Sequence, residues 1–115
     1  VELIVCNRPD GEEPGQPTFE QIRCEARACG IEATQLAFPS DQMGADVPGA
    51  FARLLGRRWR LHAYCRSGRR SLQAFAAARA LDASFANKQL DELAARAEQL
   101  GFENVSFDSL KRAAA

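Results

Sequence analysis

Apolar and polar positions along this chain switch between two periods. Glu2–Cys6 (ELIVC) is a short β-branched run that stops at NRPDGEEPGQP, which predicts a buried strand and then a loop. Thr18 precedes Gln21 by three, the spacing of a capping box, so a helix should begin there. Phe19, Ile22, Ala26 and Cys29 then share one helical face, and Gly30 suits the position just past the end. IEATQLAF alternates into a second strand, PSDQMGADVPG reads as a loop, and AFARLLGRR as a short helix. A third strand, Trp59–Cys65, leads into the helix SLQAFAAARAL. A further amphipathic helix should run from about Asn87 to Leu100, stopped by Gly101, with a short one near Ser109–Ala113.

Strands alternating with helices predict an α/β fold with a mainly parallel sheet flanked by helices. The length of 115 residues suits a single domain over 1–115. Three readable strands are few for such a sheet, and the chain opens at Val1 directly into an apolar run. The expectation is therefore that an N-terminal part is missing. Nowhere do eighteen apolar residues run together, and no signal-peptide pattern opens the chain. The formal net charge of zero supplies no general attraction for nucleic acid or a membrane. These readings predict a cytoplasmic protein with neither of those partners.

The four cysteines are Cys6, Cys24, Cys29 and Cys65. Their spacing fits no small disulfide scaffold, and Cys24 and Cys29 have only His62 to add as a zinc ligand, so reduced thiols without a metal or cofactor are expected. Cys6 ends a strand, where it is either a packed residue or a resolving thiol. Cys29 should be a small core residue under the last turn of its helix, and Cys24 should be exposed. His62 points to the strand face opposite Cys65 and is not cast as a base. Arg57, Arg58 and Arg60 read as a solvated edge.

Cys65 stands apart from the other three. It lies in AYCRSGRRS (Ala63–Ser71), where a strand gives way to a helix and Arg66, Arg69 and Arg70 follow closely. Function in parallel α/β sheets collects at such junctions. Loop amides and the positive end of the next helix cradle an anion, and the same field favours thiolate over thiol. Gly68 lets the loop curl, with positive φ or a close backbone approach. Ser71 can donate to the sulfur or cap the helix. The expected site is thus Cys65 as nucleophile and Arg70 as anion-binding catalytic partner, with Arg66, Ser67, Gly68, Arg69 and Ser71 completing the loop. A structural cysteine before a solvated helix start is the bland alternative, and the order C-x-x-G-x-R-S argues against it.

CRSGRRS resembles the active-site loop of rhodanese-type sulfurtransferases and also a shortened cysteine-phosphatase loop. Tyrosine and dual-specificity phosphatases carry C-x5-R, whereas Cys65 to Arg70 is C-x4-R. In those families the shorter loop goes with sulfane sulfur and the longer with phosphate. VCNRPDGEEPGQPTF together with AYCRSGRRS is similar to the bacterial beta-lactamase-hydrolase-like family, over roughly Glu2 to Leu81. That resemblance implies a phosphatase-like fold, often associated with sulfur transfer, and a partner among sulfide- or persulfide-oxidising enzymes. The leading expectation is a sulfurtransferase carrying sulfane sulfur as a persulfide on Cys65. The alternatives are a cysteine-dependent phosphatase and a non-catalytic anion-binding module. The substrate would be a small anion: thiosulfate, a persulfide or a phosphate ester. A phosphatase also needs a general acid, for which Asp10 and Asp41 are candidates, although aspartate is common in turns for its local hydrogen bonds.

Overall fold

The structure is a computed structural model that describes residues 1–57 and 60–112. Three parallel strands, β1 (Leu3–Cys6), β2 (Glu32–Gln35) and β3 (Leu61–Tyr64), form a sheet in the order β2-β1-β3. Four helices accompany them: α1 (Phe19–Ala28), α2 (Val47–Leu55), α3 (Arg69–Ala80) and α4 (Asn87–Gln99), followed by a 3-10 turn at Asp108–Leu110. The predicted α/β architecture is the one observed. Trp59 and Arg58, in the predicted start of β3 and its solvated edge, lie outside the described residues, as does Ala113 at the end of the predicted last helix.

α1 begins as its sequence predicts. The Thr18 hydroxyl accepts from the Gln21 amide at 3.1 Å, and the Gln21 side chain accepts from the Thr18 amide at 2.8 Å. The reciprocal pair satisfies donors that a helix start would otherwise leave unpaired. The predicted core position of Cys29 is corrected. Only Ala26 of α1 is buried, and Cys29 is exposed. Helical periodicity does not reach it, because the helix closes at Ala28 and Cys29 is its C-cap, with φ −95° and ψ 6°.

The first crossover runs from β1 to β2, and the second returns past β1 to β3. With right-handed connections, that reversal puts α1 and α2 on opposite faces of the sheet. It also opens a crevice at the carboxyl ends of β1 and β3, the usual ligand position in such folds. Cys6 pairs in register with Tyr64, so Asn7 and Cys65 come next to each other at that edge.

Leu3 and Val5 of β1 pack with Phe38, Val47, Phe51, Ala74 and Ala78 into the main core. A second cluster, Ala76, Leu90 and Phe107, joins α3 to α4 and the C-terminal turn. α3 therefore lies between two apolar layers, which explains its run of alanines: larger side chains would hold both layers off. Its N-terminus is fixed from both sides, and that end carries the site.

Candidate active site

Tyr64 ends β3, Cys65 follows, and the loop turns at Gly68 into α3. Gly68 has φ +89°, a conformation that favours glycine, as its place in the sequence predicts. A second reason for glycine comes from a distant part of the chain. A Cβ here would stand 3.1 Å from Cζ of Phe102, so a side chain would push against that ring.

The turn aims backbone donors at the sulfur. The Gly68 amide donates to Cys65 Sγ at 3.1 Å. Partial burial pushes the thiol's pKa up, but the Ser71 amide and hydroxyl and the amides of Gly68 and Arg70 outweigh it. The net result holds Cys65 below the ordinary thiol range. Arg66 and Arg69, expected to contribute charge, each have a further partner: Arg66 pairs with Glu13 at 2.7 Å, and Arg69 donates to the Glu103 carbonyl.

Ser71 is buried, and its hydroxyl donates to Asn7 Oδ1 at 2.8 Å. Asn7 is fully buried, with its amide nitrogen donating to the Leu36 carbonyl at 3.0 Å. These two bonds fix which end of Asn7 faces Ser71. The Ser71 hydroxyl is thus held between Asn7 and Cys65.

Arg70 is buried at the start of α3, where its guanidinium meets the loop that follows β1. One terminal nitrogen donates to Glu12 Oε2 at 2.8 Å and to the Phe38 carbonyl at 3.0 Å, and the other donates to Glu12 Oε1 at 2.7 Å. Arg8 adds a bond to Glu12 at 3.0 Å. Bonds from Arg70 foremost hold the Glu12 carboxyl below the usual carboxylate range. Sequence reasoning missed Glu12: only the GEEP run hinted at carboxylates near the arginines, and nothing local says that they meet.

The acid candidates separate. Asp10 accepts from the Phe19 amide at 2.7 Å, so its carboxylate helps to cap α1. Asp41 is exposed on the turn after Phe38, beside Ser40. Ser40 forms one wall of a cleft of about 440 Å³ with Arg66, Ser67, Arg69, Arg70 and Gln73. Asp41 is the next residue in the chain and is free of the engagement that occupies Asp10, although it is not itself among the residues that line the cleft.

The other cysteines are not brought to the site. Cys6 is buried, and its thiol donates to the Arg8 carbonyl at 3.2 Å. It also lies against the Tyr64 hydroxyl, whose pKa burial pushes well above its ordinary value. The packed reading of Cys6 fits these contacts better than a resolving thiol. Cys24 is exposed, as expected, and so is His62. Arg60 pairs with Glu2 at 3.4 Å on the surface. Among the described residues, no cluster of histidine, cysteine or carboxylate could hold a metal ion. No helix among them is long and apolar enough to cross a membrane.

The parallel sheet, with this loop at its switch point, has a phosphatase-like α/β fold. The chain belongs to the phosphatase-like domain family of the beta-lactamase hydrolase-like proteins, which it matches over residues 1–82. Among solved structures it is similar to a protein of Neisseria meningitidis described as a "putative phosphatase". The two share 28% identity and a TM-score of 0.73, over 95% of this chain and 73% of the other. Nothing among curated proteins matches it.

Proposed function

We propose that this domain hydrolyses phosphate monoesters through a phosphocysteine on Cys65. The observation that carries the reading is the cradle itself: Cys65 Sγ accepts from the Gly68 amide at 3.1 Å, ahead of a buried arginine that Glu12 orients. The family and the Neisseria structure support the same chemistry. The order of the two reactions expected from the sequence is thereby reversed.

In the first step Cys65 Sγ attacks phosphorus. The S–P bond forms as the P–O bond to the leaving group breaks, and the leaving oxygen takes a proton from Asp41. Loop amides and Arg70 stabilise the charge spread over the phosphoryl oxygens. In the second step water attacks phosphorus, giving up a proton to Asp41, and inorganic phosphate leaves as the thiolate is restored. Asp10 is not the acid in this scheme, because its carboxylate is bound to the start of α1.

Sulfur transfer is the second reading, supported by the loop length. Four residues separate Cys65 from Arg70, and the amides of Gly68, Arg70 and Ser71 converge on the sulfur itself. With thiosulfate, Cys65 Sγ would bond to the outer sulfur while the S–S bond breaks and sulfite leaves with the electron pair. An acceptor such as cyanide would then remove the sulfane sulfur. Side-by-side turnover of an aryl phosphate and of thiosulfate plus cyanide tests the two. Cys65-dependent phosphate release supports the proposal, whereas a persulfide on Cys65 without phosphate release replaces it with the second reading.

A further inference from the structure

α4 ends beside the nucleophile loop, in a stretch beyond the residues that match the family. Its last turn closes with the paired bonds of a glycine C-cap. The Gly101 amide donates to the Glu98 carbonyl at 3.0 Å, and the Phe102 amide to the Ala97 carbonyl at 3.1 Å. Gly101 takes the positive-φ place that this ending requires, with φ +105°. The cap fixes where Phe102 leaves the helix.

The Phe102 ring is half-buried, yet among the described residues it joins neither core cluster. It lies instead against Gly68, where an added Cβ would stand 3.1 Å from Cζ and 3.4 Å from Cε1. The next carbonyl, that of Glu103, accepts from the Arg69 guanidinium. Two consecutive residues after α4 thus meet two consecutive residues of the loop. This support is anchored at both ends. Leu90 and Ala97 of α4 are buried before it, and Phe107 joins the second core cluster after it. Between them Asn104 turns the chain with φ 54°, a left-handed conformation that asparagine tolerates better than most residues.

Gly68 is the residue whose amide donates to Cys65 Sγ at 3.1 Å. A glycine has wide backbone freedom, so its amide keeps that aim only where neighbours limit it. We propose that Phe102 is a positioning residue for the nucleophile: its ring, with the Glu103 carbonyl on Arg69, holds the Gly68 turn so that the amide points at the sulfur. The inference rests on Cys65 being an activated thiol, and it assigns part of that activation to residues outside the loop and its helix. It applies equally to phosphate and to sulfur chemistry.

The test is the pH profile of Cys65 alkylation by iodoacetamide in the intact protein, followed at its peptide by mass spectrometry. Phe102→Ala should slow alkylation at pH 6 about three- to tenfold, the scale for weakening one hydrogen bond. At about pH 10, where even an unassisted thiol is ionised, native and variant rates should converge. The ring lies outside both core clusters, so this variant should stay folded. Phe102→Met, flexible and apolar, should restore most of the rate at pH 6. Leu110→Ala loosens the second core cluster and should lower Tm while leaving the profile in place. The charges near the thiol, Arg70 with Glu12 and Arg66 with Glu13, are present in every variant. An unchanged profile in Phe102→Ala, an equal shift in Leu110→Ala, no recovery in Phe102→Met, or a loss that persists at pH 10 would overturn the positioning role. A native profile that rises only near about pH 8.5 would overturn it together with the activated thiol. Absent phosphate release with the shift as expected would count against the phosphatase reading alone.

Discussion

Glu12 grips Arg70 through both carboxylate oxygens, at 2.7 and 2.8 Å, across 58 residues of sequence. The pair ties the loop after β1 to the nucleophile loop after β3. Arg70 is nearly closed to solvent, with its side chain 7% exposed, so its fork is held before any substrate arrives. Glu12→Gln keeps the shape and removes the charge. It should lower kcat/KM by about 5- to 30-fold, the effect of about 1–2 kcal/mol from a weakened charge-assisted pair. The pair should also show in the pH dependence of stability. Because the folded carboxyl is depressed, its contribution is fully present above the ordinary carboxylate value and is lost as pH falls through the folded value. The Tm difference between native and Glu12→Gln proteins should stay constant above about pH 5 and shrink below about pH 4. A constant difference down to pH 3 would remove Glu12 from this role.

Much of this arrangement is local in sequence, and those parts are legible there. Thr18 and Gln21 are three apart, and Cys65, Gly68, Arg70 and Ser71 lie within one turn and its helix start. Each states its geometry through its immediate neighbours. Glu12 and Phe102 are not legible, because each meets the loop only after the sheet and the α3–α4 pair have formed. Nor does periodicity know where a helix will end, which is why Cys29 falls outside the core that its spacing predicts. Arg66 and Arg69 are close to the cysteine in sequence and line the cleft beside it, yet a carboxylate and a carbonyl hold their side chains, partners that the local sequence does not announce.

The Ser71 hydroxyl donates its one proton to Asn7 Oδ1 at 2.8 Å, and a thiolate at Cys65 draws that proton to sulfur instead. Ser71→Ala removes a donor from the thiolate, so the thiol should move up toward its ordinary value. Alkylation of Cys65 by iodoacetamide at pH 6 should slow about tenfold, from the roughly 1.5 kcal/mol that a hydrogen bond to a charged group contributes. The native chain should react well below about pH 8.5, where a free thiol titrates. A native profile that rises only at that pH would end the activated-thiol reading.

Gly68 is constrained both by its φ of +89° and by the Phe102 ring, which would lie 3.1 Å from an added Cβ. Gly68→Ala should cost about 1–3 kcal/mol of stability through backbone strain, read as a lower Tm. Alkylation of Cys65 should slow as well, because the Gly68 amide would leave the sulfur. Unchanged Tm and reactivity would mean that the loop tolerates a different turn.

Arg70 and Arg69 are adjacent, but only Arg70 uses a two-pronged grip that lysine cannot copy. Arg70→Lys should reduce kcat/KM at least about tenfold, given about 1.5–3 kcal/mol for each hydrogen bond to a charged group. Arg69→Lys should cost less, since the main bond of Arg69 is to the Glu103 carbonyl and its charge remains. Equal losses at the two positions would show that the grip of Arg70 on Glu12 does not prepare its guanidinium for the anion.

A general acid separates the two chemistries, because an ester oxygen needs a proton to leave and sulfite does not, and Asp41 is the one proposed. Asp41→Asn should slow hydrolysis of an aryl phosphate about 100-fold or more, within the range that general acids contribute. The loss should be smaller for a phosphate ester with a very acidic leaving phenol, which needs little protonation. Asp10→Ala should behave differently: it removes the acceptor of the Phe19 amide, so Tm should fall by the roughly 1 kcal/mol typical of a lost helix cap while turnover per folded molecule changes little. Both aspartates should be silent in transfer of sulfur from thiosulfate. If Asp41→Asn hydrolyses aryl phosphate at the native rate while Cys65 still gains a cyanide-labile sulfur, the amides converging on Sγ serve a persulfide, and the short loop from Cys65 to Arg70 is its reason.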